Sequence, residues 1–198
     1  MANYRWFVTA AMAVVLGSSV NASAQQPVKA LAFNFAEVPD EVLAAAQEKA
    51  TATLKTGGVT MEWSASMQSA AVSLDCQTPF SVQVLIRHRD VTWAPGQRSV
   101  MGMALASDEG RAVLMIYYDA VVSVARRYHA AIDDILAIAI AHEFGHVLLP
   151  PPSHSPRGIM QPFWEGDDVR HAIGGELAFD SGQADLIQTK AARACQRR

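Results

Sequence analysis

Residues 133–149 read DDILAIAIAHEFGHVLL and run straight into Pro150, Pro151 and Pro152. Every side chain from 135 to 141 is apolar. A helix that is apolar on all sides has to be enclosed by other elements, so the rest of the chain must supply a sheet and further helices around it. The prolines fix where it ends. None can donate the helical hydrogen bond, and the residue before a proline is driven toward extended geometry. The helix should therefore start at Asp133 or Asp134 and stop at Leu148 or Leu149. His142, Glu143 and His146 sit deep within this apolar run, and polar groups at that depth need partners.

The preceding sequence contains the required layer. Residues 28–36, 59–63, 80–88, 99–106 and 111–118 read as five strands, from alternation or from short β-branched runs bounded by turn residues. Between the first two, DEVLAAAQEKATATLKT (40–56) reads as a helix, with Asp40 able to cap it and Gly57-Gly58 to end it. A strand–helix–strand order favours a parallel pair, whereas the short SDEG turn at 107–110 makes the last two strands an antiparallel hairpin. Residues 119–129 form a short helix. Asp180 and Gln183 make a D-x-x-Q capping pattern for a terminal helix over 180–194. The expectation is an α/β (α+β) fold with a mixed five-stranded sheet, backed by the crossover helix and the long helix. From Pro150 onward the chain reads as irregular apart from the last helix.

The first residues, MANYRWFVTAAMAVVLGSSVNASAQQ, have one early arginine, an apolar core and an Ala22-Ser23-Ala24 cleavage pattern. That is the pattern of a secretory signal peptide over 1–24, preferred over an uncleaved anchor because the apolar run is short for a bilayer and no later run reaches that length. The mature chain then begins at Gln25 and forms one domain, with an N-terminal subdomain over 25–149 and a C-terminal one over 150–198. Hydrophobic residues at 51% against charged residues at 18% suit a packed core. With Arg5 removed, 15 basic residues face 19 acidic ones. That mild negative balance argues against a nucleic-acid partner. Export places the protein in a secreted or periplasmic setting, where Cys76 and Cys195 are candidates for one disulfide; two free thiols are the alternative.

The histidine segment carries the chemistry. His142 and His146 are four apart, so on a helix they project from one face and can reach one zinc ion. Glu143 falls beside the metal, where it can take a proton from a water activated there. A third ligand is needed. On a continued helix His154 would lie about 12 Å along the axis from His146, out of reach. With the helix stopped, the loop PPPSH can bring it back. Gly158 can then turn sharply, and Met160 offers a soft side chain to pack beneath the imidazoles.

The whole pattern, H-E-x-x-H, a bend, a third histidine and a downstream methionine, resembles the metzincin clan of zinc metallopeptidases. The eight-residue gap from His146 to His154 is similar to the archaemetzincin variant and to predicted exported bacterial metallopeptidases. The resemblance implies zinc on His142, His146 and His154, Glu143 as general base and Met160 as the turn methionine. It also implies a peptide or protein substrate that pairs with residues 99–106 as an edge strand. Pro150 stands where the family usually has a turn glycine. Archaemetzincins carry a cysteine cluster for a second zinc, and Cys195 alone follows His154 here, so one ion is expected. No tyrosine follows Met160 closely as a further ligand or oxyanion donor.

The remaining candidates read more simply. His88 is expected at a solvated strand end, His129 in a loop and His171 in a polar segment. Phe163 and Trp164 can wall a pocket or join the core. Arg126-Arg127 and Arg197-Arg198 read as solvated charge, and Tyr117 and Tyr118 as sheet residues. The expected function is an exported zinc metalloendopeptidase. The alternatives are a secreted zinc-binding module without turnover and a zinc hydrolase acting on a non-peptide bond.

Overall fold

The computed structural model describes residues 28–64, 81–89, 100–106 and 111–194. The signal segment, Cys76, Cys195, the 107–110 turn and Arg197-Arg198 lie outside the described residues. Among the described residues the fold is mixed α/β, with five strands and five helices. These are β1 (Val28–Asn34), α1 (Asp40–Thr56), β2 (Met61–Trp63), β3 (Ser81–Arg87), β4 (Gly102–Ala106), β5 (Arg111–Tyr117), α2 (Tyr118–Tyr128), α3 (Ile132–Leu148), α4 (Gly166–Ile173) and α5 (Ser181–Ala194).

The strands form one sheet in the order β2-β1-β3-β5-β4. The pairs β1–β2, β1–β3 and β3–β5 are parallel, and β4 pairs antiparallel with β5 at the edge. Alternation sets the faces. Val82, Val84 and Ile86 of β3 and Ala112, Leu114 and Ile116 of β5 point into the core, where each is at most 3% exposed. The helices α1 and α3 pack on one another and on this sheet. Lys49 of α1 joins them by ion pairs to Asp133 and Asp134 in the first turn of α3.

Helix α3 also meets α2, α4 and α5, so every residue from Ile135 to Gly145 is buried. This enclosure is the physical counterpart of its unbroken apolar sequence. Its length and that of the other helices leave none, among the described residues, long and apolar enough to cross a membrane.

Tyr118, expected in the sheet, is instead the first residue of α2, and three further local expectations change. Asp40 is the first helical residue rather than the cap: Pro39 occupies the N-cap with an extended backbone and no side-chain cap, and the Asn34 amide instead holds both the N–H and the carbonyl of Val38. Asp40 and Glu41 still favour the helix through its positive N-terminal dipole. Helix α3 begins slightly earlier than Asp133, with Ala131 at the N-cap. The segment after Pro150 is not irregular throughout, because α4 spans Gly166–Ile173. The Asp168 carboxylate accepts a hydrogen bond from the Glu165 N–H at 2.9 Å to start it. Terminal helix α5 is capped as read: the Gln183 N–H donates to Asp180 Oδ1 at 2.8 Å, and Gln183 Oε1 accepts from the Asp180 N–H at 3.1 Å.

Candidate metal centre

The end of α3 creates the site. The helix stops at Leu148, and Leu149 takes an extended conformation at φ −90°, ψ 147°, with its N–H still bound to the Gly145 carbonyl at 2.8 Å. The chain then turns through the three prolines without any residue of positive φ before Gly158. Proline at position 150 is compatible with this bend, because the left-handed conformation for which a glycine would be needed does not occur there.

The loop returns His154 to the helix. Its ring centre lies 5.4 Å from that of His142 and 4.7 Å from that of His146. One nitrogen from each of the three imidazoles falls within 4.8 Å of the others, a group that could hold a metal ion. The Nε2 atoms of His142 and His146 are 3.1 Å apart. Two nitrogens each about 2.0–2.1 Å from a tetrahedral ion would be roughly 3.3–3.4 Å apart, so the pair is already close to the needed separation. Burial falls across the cluster: His142 is buried, His146 half-buried and His154 exposed.

The imidazole rings are held from behind. His142 Nδ1 lies 2.7 Å from the Ile159 carbonyl, which can only accept, so this nitrogen carries the proton and Nε2 presents its lone pair. Burial, reinforced by His146 and His154 and only partly opposed by the Ile159 bond, pushes the His142 pKa down to about 4. Burial and His154 also lower that of His146. Both rings are therefore held toward the neutral form that ligates metal. His146 Nδ1 lies 2.6 Å from the Ser153 hydroxyl.

Met160 closes the floor. It is fully buried, and a Cβ at Gly145 would meet its sulfur at 2.2 Å, so the glycine inside the HEFGH turn lets the methionine pass under the helix. Gly158, at φ 77°, makes the preceding turn, and any side chain there would strike the Ala178 carbonyl at 2.5 Å. The Ser155 N–H donates to the Met160 carbonyl at 3.0 Å, which ties the His154 loop to the methionine turn.

Glu143 lies in the same turn of α3 and is 6% exposed. Burial raises its pKa from 4.5 to about 7. It packs against the start of edge strand β4: a Cβ at Gly102 would come within 2.7 Å of Glu143 Cγ and 2.9 Å of Oε1. Trp164 sets its ring edge-on to His142 at 5.4 Å, and its indole N–H is buried with no hydrogen-bond partner among the described residues. Phe163 is 51% exposed.

The structure thus brings together His142, His146 and His154, with Met160 beneath them and Glu143 in the same helical turn. The other histidines stay apart. His88 is exposed and bonded to Asp119 at 2.9 Å, His129 caps α2 in a left-handed conformation, and His171 stands exposed on α4, 4.0 Å from Glu176. Sequence reasoning missed Ser153, the Ile159 carbonyl, Gly102 and Gly145. Ser153 had one readable signal, a hydroxyl beside a ligand histidine; the other three depend on contacts that no periodicity marks. Comparison with protein-family models and with curated proteins returns no match to the chain.

Proposed function

We propose that this protein is an exported zinc-dependent metalloendopeptidase of the metzincin type. The observation that carries the reading is the convergence of His142, His146 and His154, with the buried carboxyl of Glu143 in the same helical turn. The donor set fits zinc: three imidazole nitrogens and, among the described residues, no thiolate, with the exposed His154 side leaving an approach for water and substrate. A mixed sheet with an antiparallel edge strand, a buried HExxH helix, a proline-made bend and a methionine beneath the imidazoles all suit this assignment.

Zinc would supply Lewis acidity to the attacking water and to the scissile carbonyl. The chain's own groups do the rest. Glu143 takes the proton of the attacking water and passes it to the leaving amine. A carboxyl held near neutrality by burial is suited to both transfers. Among the described residues β4 is an edge strand, and its backbone groups would pair with an extended peptide beside the carboxyl that acts on it.

Metal analysis of the purified mature protein, combined with a peptide-library digest, tests the assignment. One zinc per chain and cleavage of internal peptide bonds are expected, and His154→Ala should lose both. Zinc retained with no cleavage of any peptide would instead identify a binding module. Full cleavage in His154→Ala would remove the third ligand from the scheme.

A further inference from the structure

We propose that Ser153 is a positioning residue of the metal centre, its hydroxyl holding His146 in the tautomer and ring orientation that ligation requires. This rests on the zinc reading above. His142 and His146 are oriented by different means. His142 is pinned by a backbone carbonyl, which substitution cannot remove, whereas His146 is pinned by a side chain at 2.6 Å. Among the described residues, Ser153 is the one side chain hydrogen-bonded to a ligand ring at the nitrogen turned away from the cluster.

The hydroxyl suits this place. With a cation between the rings, both Nε2 atoms would present lone pairs, so the His146 proton would reside on Nδ1, where the Ser153 hydroxyl at 2.6 Å accepts it.

The position of Ser153 adds coupling. It directly precedes His154, so the residue that orients the second ligand and the residue that supplies the third belong to one short loop. Ser155 anchors that loop to the Met160 carbonyl at 3.0 Å. Seating the loop therefore places one ligand and aligns another in the same movement.

The test is chelator-competition titration of zinc on the full mature protein, compared across wild type, Ser153→Ala and Ser153→Thr. Loss of an outer partner of a ligand histidine typically costs about 10–100-fold in metal affinity. Ser153→Ala should fall in that range, and Ser153→Thr, which keeps the hydroxyl, should recover most of the wild-type affinity. Cobalt-substituted Ser153→Ala should show a shifted visible spectrum, and Ser153→Thr should restore that of wild type. Zinc affinity in Ser153→Ala equal to wild type would overturn the proposal, as would a Ser153→Thr as weak as the alanine variant. Failure of the wild-type chain to bind zinc would overturn the metal centre itself and is read from a separate titration.

Discussion

Glu143→Gln separates the chemistry of this site from its stability. In the metal-free protein, burial raises the Glu143 pKa from 4.5 to about 7. The folded state then prefers the protonated acid. Relative to the unfolded chain, nothing is lost below pH 4.5, and stability falls as pH rises through 7. A shift of this size corresponds to about 3 kcal/mol at pH 8. Glutamine keeps the shape and cannot ionise, so metal-free Glu143→Gln should be about 3 kcal/mol more stable than wild type at pH 8 and nearly equal to it at pH 4. His142 gives the difference a second signature. Its pKa falls from 6.5 to about 4, so its stabilising contribution is present above 6.5 and is lost as pH falls through 4. In wild type the Glu143 and His142 losses oppose one another. In the variant the His142 limb is unopposed, worth about 3 kcal/mol between pH 7 and 4, and the lowered pKa of His146 adds to it in the same direction.

The assay is denaturant unfolding in the presence of chelator, across pH 4–8, on both proteins. A gain of the same size at pH 4 and pH 8, or no gain at pH 8, would refute burial as the cause of the raised pKa. Zinc should shrink the gain, because a nearby cation favours the carboxylate. The zinc-loaded variant should retain its metal and lose roughly 10²–10⁴-fold in turnover, the range expected for removal of a general base. Full turnover with metal bound would remove Glu143 from the mechanism.

Gly145→Ala would drive a methyl into the Met160 sulfur at 2.2 Å and toward Phe179 at 3.0 Å; it should destabilise the protein by about 1–3 kcal/mol in thermal unfolding, and Met160→Ala should relieve part of that loss. Gly102→Ala would crowd Glu143 Cγ at 2.7 Å and the Met115 carbonyl at 2.8 Å; turnover should fall sharply while zinc titration changes little. Lys190→Met would remove the ammonium that donates to the Val147 carbonyl at 2.7 Å in the last turn of α3; a loss of about 1–2 kcal/mol is expected in denaturant unfolding.

The sequence was most legible where one local rule decides the outcome. Three prolines stop α3 at Leu148 because they lack the donor for the next turn, and the eight-residue return to His154 follows from that stop. The apolar run from 135 to 141 announced enclosure, and α1, α2, α4, α5 and the sheet provide it. Legibility fell where the signal is short or comes from tertiary contact. Helix α4 is eight residues long, begins with glycine after a glutamate N-cap, and buries Val169 alone, so neither its start nor its period stood out. Strand β4 was read from 99, but its pairing with β5 begins at Gly102 opposite Ile116. Asp40 looked like a cap because its residue type suits one, yet the Asn34 amide already occupies the entrance to α1.

This division runs through the site itself. The proposed ligands and their supports lie within residues 142–160: two histidines on one helix, the hydroxyl and imidazole of adjacent loop residues, the carbonyl at 159 and the methionine at 160. A continuous segment of chain can encode all of that, so a motif can announce it. The surroundings of Glu143 are different. Its raised pKa comes from burial, and part of that burial comes from Gly102 on a strand some forty positions earlier. Metal affinity should therefore respond to changes within the segment, while the strength of the base should respond to changes in β4 as well. A chain could keep the motif and the zinc yet lose the catalyst through a substitution at position 102, and the contrast between Gly102→Ala and Ser153→Ala measures that separation. The first should lower turnover at nearly constant zinc affinity, and the second should lower zinc affinity itself. If both variants lost zinc equally, the base and the ligands would form a single packing unit and the division would fail.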